Sequence, residues 1–242
     1  MVSKNQIKFI TSLQHKKYRI KHNLFIAEGV KVIQEFLDSN YVLEHLYETD
    51  FLFEQVSDSQ KTLIKEDDMK RITAFSNASS CLAIFKIPNP TKIMDNGLIV
   101  ALDDIRDPGN VGAIIRLCDW FGISQIVCSQ ETVDVYNPKV IQATMGSISR
   151  VSINYIDLKA YVSQSKLPVY GTFMEGNNVY SEELPEEAII ILGNEANGIS
   201  KELEKIIENK LSIPRFGSIQ KTESLNVASA AAIFLSEFKR KS

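Results

Sequence analysis

The sequence predicts an α/β protein: a C-terminal domain on a parallel sheet, preceded by a smaller α/β unit. Three observations carry this. Beyond Gly97, short apolar runs alternate with helix-spaced segments, the pattern of repeated strand–helix units. Those runs are near-continuous Ile, Val and Leu, as strands covered on both faces are. Upstream, Lys86-Ile-Pro-Asn-Pro-Thr91 places two prolines where neither a central strand nor a helix interior tolerates them, and so marks a linker ending near Asp95-Asn-Gly97. The expected domains are 1–88 and 96–242.

In the first domain, Ile7, Phe9, Ile10 and Leu13 have helical spacing. Leu24-Phe-Ile-Ala27 reads as a strand. Val30, Ile33, Phe36 and Leu37 make an amphipathic helix of residues 28–37. Val42 to Tyr47 and Leu82 to Phe85 are further strands. In the second domain the predicted strands are 98–102, 125–128, 151–155, 168–172, 188–192 and 211–213. Helices are expected at 110–121, 138–145, 158–165, 201–209 and 224–238, with Ser200 as N-cap of the fourth.

The 242 residues, 44% hydrophobic, suffice for a sizeable core. No apolar run reaches the roughly 18 residues of a membrane span, and the N-terminus has no apolar signal core, so a cytoplasmic protein is expected. Cys81, Cys118 and Cys128 fit neither a zinc site nor a disulfide framework and read as buried thiols, and no histidine stands at ligand spacing, so no metal is expected. The net charge of −3 argues against a nucleic-acid partner, but its distribution does not. Residues 1–27 hold no acid, while Lys4, Lys8, Lys16, Lys17, Arg19 and Lys21 are cationic, and the tail Lys239-Arg-Lys241 is basic. Such a patch either contacts phosphates or is a solvated helix face.

Three segments gather glycines and small polar residues at strand ends, where an open α/β sheet binds its ligand. The first is Asp107-Pro-Gly-Asn-Val-Gly-Ala-Ile-Ile-Arg116. Asn110 follows a Pro-Gly turn and reads as a helix cap or first-turn residue. Arg116 lies six positions on, roughly 600° around a helix, and so off that face; it either pairs in a salt bridge or meets a ligand. The second is Leu192-Gly-Asn-Glu-Ala-Asn-Gly198. There Gly193 allows close backbone approach of a ligand, Glu195 is a ligand-facing, capping or exposed acid, and Asn197-Gly198 is a turn. The third is Ile213-Pro-Arg-Phe-Gly217, running on to Glu223-Ser-Leu-Asn-Val227, where Ser224 could cap the last helix with Glu223 beside it. No Gly-x-Gly-x-x-Gly or phosphate-loop fingerprint is present.

In this order the three motifs resemble the SpoU-type (TrmH-like) RNA ribose 2′-O-methyltransferases of the SPOUT superfamily. The resemblance implies a deep trefoil knot at the C-terminal end, S-adenosylmethionine as cofactor, no metal, and a homodimer with the last helix in its interface. Asn110, Ala113 and Arg116 match the family's Asn-x-x-Ala-x-x-Arg, which makes Arg116 the main catalytic candidate. With it come Asn110, Glu195, Ser224 and Asn226. Cofactor contacts are implied at Thr172, Leu192, Gly193, Ile213 and Leu225, and in the loop Met174-Glu-Gly176. Lys16-Lys-Tyr-Arg19 and Phe25-Ile-Ala-Glu-Gly29 look like the RNA-binding domain that precedes many such catalytic domains. This favours ribosomal over transfer RNA and the phosphate-contacting reading of the basic end. Two departures stand out. Gly217 and Ser224 are seven apart instead of about four, leaving a longer loop 218–222 in which Ile219 has no assigned role and Lys221 could meet RNA. Ala196-Asn197 replaces the usual glycine and variable residue. A non-catalytic RNA-binding protein on this fold, and a knotted enzyme that methylates a base nitrogen, are the competing classes.

Overall fold

A computed structural model of the chain describes residues 2–217 and 224–240. The order is α1 (Lys4–Ser12), α2 (Lys16–His22), β1 (Leu24–Glu28), α3 (Val30–Leu37), β2 (Leu43–Glu48), β3 (Lys61–Leu63), α4 (Glu66–Ile72) and β4 (Cys81–Lys86). It continues with β5 (Leu98–Asp103), α5 (Pro108–Trp120), β6 (Gln125–Cys128), α6 (Pro138–Thr144), β7 (Ser152–Tyr155), α7 (Leu158–Gln164) and β8 (Val169–Asn178). Last come β9 (Ala188–Gly193), α8 (Lys201–Glu204), β10 (Asn209–Ser212) and α9 (Val227–Lys239).

The chain folds as two compact units, and the division is not a single cut. The first comprises Met1–Asn89 and also Asp134–Ser149; the second comprises Pro90–Val133 and Arg150–Ser242. The first unit is built on a four-stranded sheet in the order β1-β4-β2-β3, with β1 and β2 antiparallel to β4. Ser3 and Gln6 close a reciprocal capping box at the start of α1, which fixes the helix beside the core residues Ile10 and Leu13. The short elements α2, α4 and β3 have no counterpart in the apolar pattern; α2 packs on β1, α4 on α1, and β3 pairs with β2.

Segment 134–149 differs from expectation. Its helix α6, expected as one of the alternating elements around the parallel sheet, packs on β1. The reason lies in contacts remote in sequence: Val140 and Ile141 are buried, and the Tyr136 ring lies 4.9 Å from that of Phe25. Arg19, only 2% exposed, meets the Asp134 carboxylate at 2.9 and 2.5 Å and donates to the Leu13 and Gln14 carbonyls. Of the six N-terminal cations, then, Arg19 is a buried structural charge, while Lys4, Lys8, Lys16, Lys17 and Lys21 are exposed.

The second unit is a six-stranded sheet in the order β10-β8-β9-β5-β6-β7, and every pairing is parallel. Its predicted strands are all present, within a few residues, except that β8 runs on to Asn178. β5, β6 and β7 advance toward one edge, whereas β8, β9 and β10 lie on the other side of β5. The order therefore reverses between β5 and β9, the switch point at which open parallel sheets bind ligands. Helix α8 is shorter than expected, because by Asn209 the chain has joined β8 as β10. Between Lys210 and Leu211 the register jumps from Gly171 to Asn177, so residues 172–176 leave the ladder as an excursion. All three cysteines are buried free thiols; burial pushes Cys81 up to about 11 and holds Cys118 and Cys128 far above the ordinary range, so they stay protonated and inert.

Candidate active site

The second motif is shaped by its own backbone. β9 ends at Gly193, and Asn194 and Gly198 exchange backbone hydrogen bonds of 3.0 and 2.9 Å to close the loop, with Gly198 at φ +66°. The Asn194 amide donates to the Asp104 carbonyl at 2.6 Å, while its oxygen accepts from the Ala196 and Asn197 N–H groups. The Asp103 carboxylate accepts from the Ser200 N–H at 2.7 Å. A Cβ at Gly193 would stand 2.3 Å from the backbone of Gly198 and Ile199. The close approach that requires glycine is therefore made by the chain itself rather than by a ligand. Sequence reasoning gave no role to Asp103, Asp104 or Asn194; the signals were an acidic pair ending an apolar strand and the place of Asn194 inside the second motif.

The first and third motifs meet at one side chain. Asp107 caps α5 by accepting from the Asn110 N–H, which makes Asn110 a first-turn residue and not the cap. Its side chain is thereby free to donate to Glu195 Oε1 at 2.8 Å and to accept from Asn226 Nδ2 at 2.8 Å. Asn226 in turn accepts from the Ala228 and Ser229 N–H groups. It is Asn226 that caps α9, and the helix begins at Val227 instead of Ser224. The Asn226 amide caps the helix with its oxygen and reaches Asn110 with its nitrogen, two separate atoms of one side chain. Glu223, Ile219, Lys221 and the loop 218–222 lie outside the described residues, as does Lys241.

Beside this triad opens a cleft of about 1640 Å³, larger than the roughly 300–1,000 Å³ of ordinary small-molecule pockets. All five cofactor candidates line it: Thr172, Leu192, Gly193, Ile213 and Leu225. So do Glu195, Ser224 and the excursion Phe173 to Gly176. Leu192 is fully buried, so a ligand there would meet its main chain, whereas Leu225 presents an exposed side chain. The Thr172 hydroxyl is already committed to the Ile191 carbonyl at 3.0 Å. Gly176 has Lys210 carbonyl oxygen 2.7 Å from where a Cβ would be, so glycine lets the excursion close tightly on β10.

Arg116 stands apart. It is exposed, makes no hydrogen bond or ion pair with any described residue, and shares a face of α5 with the 84%-exposed Trp120 one turn on. The structure thus joins Asn110, Glu195 and Asn226, sets Glu195 and Ser224 on the cleft, and leaves Arg116 reaching into solvent.

The SpoU rRNA Methylase family model matches residues 97–236. The chain belongs to the SpoU rRNA methylase family. An MRM3-like substrate binding domain matches residues 4–83, ahead of the SpoU domain. Across 96% of both chains the protein is 30% identical to the 23S rRNA (guanosine(2553)-2′-O)-methyltransferase RlmP of Bacillus subtilis. A TrmH-family protein from Porphyromonas gingivalis superposes with a TM-score of 0.90 and 40% identity over the whole of both chains. An rRNA methyltransferase from Sinorhizobium meliloti, solved with AdoMet bound, superposes with a TM-score of 0.86 and 29% identity over 99% of this chain and 97% of its own. All three SpoU motifs fall inside the matched region.

Proposed function

We propose that this SpoU protein transfers a methyl group from S-adenosylmethionine to a ribose 2′-hydroxyl of RNA, with ribosomal RNA as the substrate class. The observation that carries the reading is the hydrogen-bonded set Glu195–Asn110–Asn226, which ties one residue of each motif together at the rim of the cleft. A binding module has no need of that set. The names of the full-length relatives support the substrate class.

The cleft suits the cofactor. Leu225 and Ile213 offer apolar faces for an adenine, the main chain at Leu192 and Gly193 offers polar groups, and Glu195 and Ser224 stand at one end. The cofactor supplies an already activated methyl on a sulfonium. With the cofactor held by Leu192, Gly193, Ile213 and Leu225, its sulfonium would be the leaving group for the methyl, and the 2′-hydroxyl would lose its proton to water or an adjacent phosphate. Arg116 is a poor base, because a guanidinium holds its proton above about pH 12. Its role is electrostatic: it binds the adjoining phosphate and stabilises the developing alkoxide. Glu195, Asn110, Ser224 and Asn226 orient the hydroxyl, a contribution of alignment rather than of acid–base chemistry.

The remaining parts of the proposal are a trefoil knot made by the chain through the second and third motifs, a homodimer, and a cytoplasmic setting. The 1–88 domain presents Lys4, Lys8, Lys16, Lys17 and Lys21 to RNA phosphates, with the knotted catalytic domain at 96–242. Among the described residues no helix is long and apolar enough to cross a membrane. Calorimetric titration with S-adenosylmethionine tests the cofactor assignment. Binding kept by Arg116→Ala and lost by Gly193→Trp is the expected result; absence of binding to the wild type well above micromolar concentration contradicts it.

A further inference from the structure

Two aromatic rings stand exposed beside the cleft, outside its lining. Phe216 is 84% exposed and Tyr180 39%, and their centroids are 6.5 Å apart at an interplanar angle of 35°. Phe216 lies between Arg215 and Gly217, both of which line the cleft while its own ring does not. Tyr180 sits in a short turn, Val179–Ser181, directly after β8. That turn is firmly mounted: Val179 is fully buried, the Tyr180 N–H donates to Asn178 Oδ1, and the Ser212 hydroxyl ties β10 to the Gly176 carbonyl. The segments that follow two neighbouring parallel strands, β8 and β10, therefore bring their rings together, with Phe216 flanked by two residues of the cleft lining.

We propose that Phe216, backed by Tyr180, is a stacking platform for an unstacked RNA base next to the ribose being methylated. The inference rests on the proposed function and deepens it by naming a positioning element for the substrate. A pair of exposed rings beside a ligand cleft offers a π-face on which a single-stranded base can stack. Among RNA groups the one that matches a bare, uncharged ring is a base face, since sequence-specific RNA recognition splays bases onto aromatic side chains. Tyr180 sits on a turn anchored by the buried Val179, so that half of the platform needs little ordering on binding. A 2′-hydroxyl also has to be held within contact distance of the methyl donor, and stacking the adjacent base fixes the sugar without occupying the cleft.

The probe is a synthetic RNA stem-loop covering the 23S rRNA segment around the guanosine named for the Bacillus subtilis relative, with 2-aminopurine beside that guanosine. Wild-type protein should methylate it and quench the 2-aminopurine. Phe216→Ala should raise the apparent Kd roughly tenfold or more, abolish the quench and leave S-adenosylmethionine affinity unchanged, whereas Phe216→Trp should retain the quench. Tyr180→Ala should give an intermediate loss. The proposal is overturned by full quenching with Phe216→Ala. It is overturned equally if that variant loses RNA binding only together with a drop in mass by light scattering, because a second copy then covers the ring. A wild type that leaves the RNA unmethylated overturns the underlying reading of the site, and the platform with it.

Discussion

Asn110 makes both of the hydrogen bonds that join the three motifs, and a single truncation removes them together. Asn110→Ala should lower single-turnover methyl transfer by about 10²-fold, the usual effect of losing one preorganised polar contact at a reacting centre. Its melting temperature should move little, since the site is largely solvated. Asn226 plays two parts that substitution can separate. Asn226→Ser keeps an oxygen to cap α9 but cannot also reach Asn110, so thermal stability should hold while the rate falls. Asn226→Ala should lose both, with about 1 kcal/mol of stability gone by chemical denaturation. A serine variant as active as wild type would reduce Asn226 to a cap. At Gly193 the constraint is steric. Gly193→Ala places a methyl 2.3 Å from the Gly198–Ile199 backbone, so the latch formed by Asn194, Asp103 and Asp104 must open. Cofactor affinity should collapse in calorimetry, with a clear loss of melting temperature; an unchanged titration would mean that the loop is not part of the cofactor site.

At the scale of elements, the strands of the parallel sheet could be read from the sequence because a doubly covered strand is near-continuously apolar, as residues 98–102 and 188–192 are. The elements that escaped are those whose bounds depend on contacts remote in sequence. α6 has an ordinary helical pattern, and nothing in its residues says which sheet it covers; the Arg19–Asp134 pair and the Phe25–Tyr136 contact decide that, across more than a hundred residues. β8 was cut short because its last residues are polar and exposed, and the excursion at 172–176 interrupts the pairing that defines it. The buried pair makes a strong prediction. Arg19→Ala leaves Asp134 without its counter-charge and two carbonyls without a donor, and should cost about 3–5 kcal/mol in denaturant unfolding. Arg19→Lys should recover only part of that, because one ammonium cannot reproduce the spread of guanidinium donors. Loss of less than about 1 kcal/mol would mean that segment 134–149 is held by its apolar contacts alone.

For the whole molecule, the candidate site lies by the switch point between β5 and β9, and the motifs that reach it come from three stretches of chain. The resemblance supplied the list of site residues, and the residues alone explain why they converge. Asn110 is freed for its neighbours because Asp107 takes over the capping, and Asn226 is held by the helix it caps. What the sequence could not disclose is the latch beneath them, since the Asp103 and Asn194 side chains bond to backbone groups, which leave no mark in the residue pattern. Nor could it show that Arg116, with no partner among the described residues, would point into solvent, where a phosphate or a second subunit can meet it.

The central claim is that this site methylates ribose, and nucleoside mass spectrometry of the product tests it most directly. Protein, S-adenosylmethionine and a 23S rRNA transcript lacking modifications should yield a 2′-O-methylated nucleoside, with the mass increase on the sugar fragment. The yield should fall sharply for Arg116→Ala and remain low for Arg116→Lys, whose single ammonium cannot grip phosphate in two places. A methyl group found on the base fragment, or a product formed equally well by Arg116→Ala, would contradict the account.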